Sequence, residues 1–221
     1  MSVLDILITY HMAFLQGLRV TLELCAVIWL TGLTVGIALG VVGANHPTSW
    51  GRFIRAMSFA FSAIPILVIL FWLHYPAQAA VDMVIDPFYT ACLTLSLVNI
   101  FGVGDLVRQA VADFPKQYII AGRVCGMNQR DLITQIQLPI LFRQLLPTLM
   151  VLQIGMLHAT LFASLISVEE IFRVAQRINS TIYRPVEIYT ALALFFLVVC
   201  LPINLTAAHL KKRYTRDVSE R

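Results

Sequence analysis

Five long apolar runs dominate this sequence: residues 20–43, 57–75, 88–107, 145–166 and 188–209. A bilayer core is crossed by about 20 apolar residues in a helix. Within lipid every backbone N–H and C=O must be satisfied inside its own segment, so each run is read as a helix. The runs are too long and continuous for the alternating strands of a membrane barrel. The rest of the chain agrees, with 59% hydrophobic and only 13% charged residues. That leaves too little polar surface to cover a water-facing exterior. The expectation is an all-α membrane protein of five transmembrane helices. It forms a single domain over residues 1–221, with the helical core at about 15–211.

Five spans place the termini on opposite sides. Of the sixteen Lys and Arg residues, twelve fall on one side, and only Arg19, Arg173, Arg177 and Arg184 fall on the other. The positive-inside bias makes the first side cytoplasmic, with the N-terminus outside and the basic tail inside. The net charge of +4 is spread over short connecting segments, which excludes a nucleic-acid stripe. Cys25, Cys92, Cys125 and Cys200 include no CxxC, and three sit in apolar runs. They read as small buried hydrophobes rather than a disulfide frame or metal site. No basic stretch followed by a small-residue cleavage site opens the chain, so the first span is expected to direct insertion itself.

The segment between the third and fourth spans is too polar to cross a membrane. Pro115 precedes a helical stretch, Gly126 stops it in the left-handed conformation, and Asn128 with Asp131 start a second helix ending near Pro139. Residues 115–139 therefore read as a helix–turn–helix at the membrane face. On the opposite side, Glu169 and Arg173 stand four apart and support a short surface helix. Within the spans, Asn99, Gly102, Asp105 and Gln109 share one helical face, and Gln153, Thr160, Ser164 and Ser167 share another. Two readings stand: lining of a translocation path by Asn99, Asp105, Gln153, Thr160 and Ser164, or helix–helix hydrogen bonding. Asp105 has a second option in Arg108, three residues on, and Glu23 has one in Arg19. His158 lies off its span's polar stripe and reads as a packing residue.

The helix–turn–helix carries a spaced motif. Ile120-Ala121-Gly122 is followed by three residues, Gly126, nine residues, and Ile136-Gln137-Leu138-Pro139. This resembles the Glu-Ala-Ala, Gly, Ile-x-Leu-Pro motif of permease subunits of binding-protein-dependent ABC importers. The resemblance extends through Leu138 to Pro147, through Arg173 to Asn179, and to Gly17-Leu18-Arg19-Val20-Thr21-Leu22. It is strongest to the polar amino-acid and opine branch, the histidine- and glutamine-permease-like proteins. The chain departs from that branch at several places. Ile120 stands for the motif's Glu, Ser62-Ala63-Ile64-Pro65 for Arg-Gly-Thr-Pro, His158-Ala159-Thr160-Leu161 for Lys-Asp-Thr-Ser, and Asp105 for a Glu.

The resemblance implies the type I ABC importer permease fold in a bacterial inner membrane. It implies a path for amino acids or similar small polar solutes delivered by a periplasmic or extracellular binding protein. A second permease, identical or homologous, would complete the path. A cytoplasmic ABC ATPase dimer would dock on Ile120, Ala121, Gly122, Arg123, Gly126, Met127, Asn128, Leu138 and Pro139. No Gly-rich phosphate loop occurs, so ATP-Mg belongs on that partner, and no catalytic residue, metal or cofactor is expected here. The competing classes are a structural or channel-forming membrane subunit, and a membrane-embedded enzyme.

Overall fold

The computed structural model describes residues 2–219, with side chains described to Tyr214. It is helical from end to end. Helix α1 (Val3–Thr9) opens on a capping box, in which Ser2 accepts from Asp5 N and the Asp5 carboxylate accepts from Ser2 N. Tyr10 leads into α2 (His11–Asn45), whose 35 residues extend for about 50 Å, well beyond a bilayer core.

The second apolar run departs from expectation. It is broken into α3 (Trp50–Ala63), α4 (Ile66–His74) and α5 (Pro76–Ala80), with a 95° bend between the halves. The cause is Pro65, which has no N–H and forces the residue before it out of the helical region. Ile64 is extended at φ −101°, ψ 129°. The single helix expected at 57–75 is therefore two half-spans meeting at a corner.

Helix α6 (Pro87–Ala112) spans as read, its first turn capped by the Asp86 carboxylate accepting from Phe88 N. Its main partner is α2, and a row of glycines on α2 explains how closely the two approach. A Cβ on Gly36 would sit 2.9 Å from Ile100 O, and one on Gly40 would sit 2.6 Å from Gly104 O. Small residues four apart let backbones meet where lipid gives no hydrophobic drive to association. The repeat Gly32-Gly36-Gly40 marks this contact in the sequence as a row of small residues four apart.

After α6 come α7 (Lys116–Val124) and α8 (Gln129–Asp131). The second loop helix does not end near Pro139. From Gln129 the rod continues through a π turn (Leu132–Gln137) into α9 (Leu138–Ala159), then a 3-10 segment (Thr160–Ile166). In an α-helix the Pro139 ring would clash with the Gln135 carbonyl; the wider π turn just before it accommodates the ring. Ser167, at φ 72°, ends the rod. Helix α10 (Ile171–Ile182) is amphipathic and short, and α11 (Pro185–Ser219) is the last span.

Three apolar clusters hold the bundle together, the smallest, Cys25, Ile154, Leu157 and Cys200, joining α2, α9 and α11. Leu24, Ile28, Leu70, Leu95 and Met156 join α2, α4, α6 and α9. Ile6, Val174, Ile178, Ile188 and Leu192 pin α1 and α10 against α11. Many large side chains remain exposed, among them Leu22, Leu30, Val68, Trp72, Val198 and Leu205. That pattern suits a lipid-facing exterior.

Candidate functional site

The loop between α6 and α9 is built around its glycines. Cys125 caps α7, Gly126 N donates to Arg123 O (3.0 Å), and Met127 N donates to Gly122 O (3.0 Å). This paired closure satisfies the last carbonyls of α7 and requires a left-handed residue at position 126. Gly126 has φ 79°. Gly122 is buried, and a side chain there would collide with Leu132 and press on Ile136. Asn128 Oδ1 accepts from Asp131 N (2.9 Å) and starts the returning helix.

With Gly122 and Leu132 turned inward, the rest of the loop faces out. Ile120 is 61% exposed, Val124 83% and Leu138 60%, and Ala121, Arg123, Cys125, Asn128 and Pro139 are also exposed. Met127 is half-buried, its Sδ near Gly122. Ile120 and Val124 stand four apart, so α7 offers an apolar ridge beside the Arg123 cation. All nine residues expected at the coupling surface lie on this one helix–turn–helix, and the apolar ridge includes Ile120 where the motif has Glu.

The polar residues of the spans are brought together in a different way. Asn99 is fully buried; its Nδ2 donates to Ile28 O (2.9 Å) and to Gln153 Oε1 (2.9 Å). Gln153 Nε2 returns a bond to Asn99 Oδ1 (3.2 Å), and Trp29 Nε1 donates to Gln153 O (3.1 Å). The amide pair thus ties α2, α6 and α9 together, and its polar groups are satisfied within the protomer. Thr160 and Ser164 are buried and donate to Leu157 O and Leu161 O of their own rod, both at 2.7 Å.

Asp105 pairs with Arg108 at 2.7 Å, with side-chain exposures of 16% and 10%, and also accepts from Gln109 Nε2 (2.6 Å). His158 packs edge-on to Phe196 and lies 3.4 Å from Cys200 Sγ. All four cysteines are free, and among the described residues no group of three His, Cys, Asp or Glu is placed to hold a metal.

At the other end of the spans every arginine has a carboxylate partner. Arg19 meets Glu23 (2.7 Å), Arg177 meets Glu169 (2.9 Å), with Arg173 at 3.9 Å, and Arg184 meets Glu187 (3.3 Å). Glu170 is fully buried and caps α10, accepting from Phe172 N (2.9 Å) and Arg173 N (2.8 Å). Burial pushes its carboxyl up to about 7 against the lowering effect of those two N–H groups, and Glu169 beside it adds to the rise.

A bundle of four helices long and apolar enough to span and one bent pair, with an exposed helix–turn–helix before the penultimate span, defines a membrane-domain subunit. Residues 32–216 match the family described as the binding-protein-dependent transport system inner membrane component, and the chain belongs to that family. It is 26% identical over 206 residues to the glutamine transport system permease protein of Escherichia coli (strain K12), covering 90% of this chain and 91% of that protein. It is 28% identical to the L-cystine transport system permease protein of Bacillus subtilis (strain 168), covering 92% and 87%. It is 25% identical to the histidine/lysine/arginine/ornithine permease of Salmonella typhimurium, covering 92% and 94%.

The fold superposes on a crystal structure of an amino acid ABC transporter with histidines at TM-score 0.81 and 21% identity, over 94% of this chain and 96% of that one. It matches the inward-facing MetNI methionine ABC transporter at TM-score 0.70 and 16% identity, over 93% and 98%. The chain is thus the permease component of a binding-protein-dependent ABC importer of the inner membrane. It is a transporter subunit rather than an enzyme, and the ATPase is a separate chain.

Proposed function

We propose that this permease imports amino acids or amino-acid-like small polar solutes. They would be handed over by a binding protein on the face opposite the coupling loop and driven by an ATPase dimer docked on that loop. The observation that carries the reading is the loop itself. Its motif spacing is built into a glycine-closed helix–turn–helix that leaves Ile120 and Val124 exposed as an apolar ridge. ATP-Mg resides on the partner. The basic bias of twelve residues to four supports an external N-terminus and a cytoplasmic tail.

Five spans are too few to enclose a path, so a second permease, identical or homologous, completes it. Asp105 and Gln109 are the path-facing candidates, while Asn99, Gln153, Thr160 and Ser164 shape the path from within the bundle. The relatives that carry glutamine, L-cystine and basic amino acids support the solute class. The test is co-reconstitution with the neighbouring ATPase and binding protein. Amino-acid-loaded binding protein should stimulate ATP hydrolysis and uptake. Stimulation by sugars or ions, with none by any amino acid, refutes the solute class.

A further inference from the structure

A cavity of about 720 Å³ opens at the Pro87 end of α6, a helix length of about 39 Å from the coupling loop. It lies between α4, α5 and the turn leading into α6, and His74, Tyr75, Gln78, Asp82, Met83 and Pro87 are in its wall. The wall is held by Gln78, which is only 8% exposed. Its Oε1 accepts from Ile85 N (2.8 Å), its Nε2 donates to Thr90 Oγ1 (2.9 Å), and its carbonyl accepts from Met83 N (3.0 Å). His74 Nδ1 lies 3.3 Å from Gln78 Nε2, and the His74 ring meets Tyr75 edge-on at 4.7 Å. Tyr75 in turn stacks on Phe71 at 5.9 Å.

Asp82 sits exposed in this wall at φ 50°; its N–H donates to Ala79 O (3.3 Å), and its carboxylate has no hydrogen bond or ion pair among the described residues. Of the ten carboxylates with described side chains, only Asp82 and Asp113 are in that state, and Asp113 ends α6 beside the coupling loop. The unpaired carboxylate at the far face therefore lines one cavity together with the Tyr75 ring, itself backed by Phe71, and the His74 imidazole.

That combination selects by charge. An anion meets Asp82 unfavourably. A hard divalent cation needs several oxygen ligands, and the cavity supplies one carboxylate. An organic ammonium group is matched by the carboxylate and by the face of an aromatic ring. We propose that this cavity binds the ammonium group of a small organic solute, a basic amino-acid side chain being the fitting class. The proposal rests on the small-polar-solute reading above and narrows it.

The test uses the full chain, assembled with its ATPase in nanodiscs, and equilibrium binding of L-lysine, with L-norleucine and L-glutamate as matched probes. Lysine should bind saturably, and norleucine and glutamate at least tenfold more weakly. Asp82→Asn and Asp82→Gly both tolerate the left-handed backbone, so the turn is kept while the charge is lost. Each should weaken lysine binding about tenfold or more, and Tyr75→Leu about threefold. Three results overturn the proposal: no saturable lysine binding, lysine binding unchanged in both Asp82 variants, or norleucine binding equal to lysine. Loss of binding-protein affinity in Asp82→Asn with lysine binding unchanged also overturns it and assigns the turn to protein docking. Failure of the amino-acid reading shows elsewhere, as absence of amino-acid-stimulated hydrolysis despite intact Asp82-dependent lysine binding.

Discussion

Replacing Gly126 by alanine isolates the backbone term of the coupling loop. At φ 79° an L-residue with a Cβ costs about 1–2 kcal/mol relative to glycine. Nothing lies within 4 Å of the position a Cβ would take, so no packing clash adds to that figure. The cost falls on the closed loop, in which Gly126 N and Met127 N bind the carbonyls of α7. If the ATPase recognises only the closed form, its apparent affinity should fall, by at most about 5- to 30-fold, the factor that corresponds to 1–2 kcal/mol. Gly126→Asn is the control, because asparagine adopts the left-handed region with less strain. Its loss should be clearly smaller. The assay is titration of the purified ATPase onto nanodisc-held permease, with far-UV circular dichroism to verify the bundle. Wild-type affinity for Gly126→Ala would refute the reasoning. So would an equal loss for Asn and Ala, since that would point to the bulk of a side chain at the interface instead of to backbone strain.

Three further outcomes follow from the packing and the charges. Gly40→Ala should destabilise the fold by about 1–2 kcal/mol, because its Cβ would press on Gly104 O. Gly155→Ala, in open space, should stabilise it by up to about 1 kcal/mol through helix propensity, and thermal unfolding of the two variants should shift in opposite directions. Asp105→Asn leaves Arg108 buried without its carboxylate and should cost about 3–5 kcal/mol. An Asp105→Asn/Arg108→Gln pair should recover most of that in the same melt, whereas a purely path-lining Asp105 would leave stability unchanged. Glu170, raised to about 7 by burial, is protonated in the fold at a pH where it is ionised in the unfolded chain. Stability should therefore decline as pH rises from the ordinary carboxyl range through about 7, and Glu170→Gln should flatten that slope in melts taken between pH 5 and 8.

The spans were legible because hydropathy is a local property: α2, α6 and α11 contain the runs at 20–43, 88–107 and 188–209. The corner at Pro65 was not, because proline inside an apolar run leaves hydropathy unchanged while removing one helical bond. Gly126 and Asn128 were readable at the coupling loop since capping and left-handed turns depend on adjacent residues alone. The continuity past Pro139 was hidden, because it depends on a π turn that absorbs the ring. The partner of Asn99 was beyond reach for a different reason: Gln153 is 54 positions away, and only the α6–α9 packing brings the two amides together. The Arg108 alternative for Asp105 was open in the sequence, three residues along the same helix, and the structure forms that pair.

The pairing of every arginine at the face opposite the coupling loop bears on how such a chain is made. On the orientation proposed above, those segments pass outward during insertion, away from an electrically negative cytoplasm. Each elementary positive charge moved that way costs about 2.3 kcal/mol per 100 mV. Arg19, Arg173, Arg177 and Arg184 travel with Glu23, Glu169 and Glu187 a few residues away, so most of the field's pull on one sign is cancelled by its push on the other. Removing those glutamates one by one would leave the folded bundle nearly as stable, since exposed ion pairs contribute little. It would instead slow export of the connecting segments in energised cells, a defect that collapsing the membrane potential should relieve.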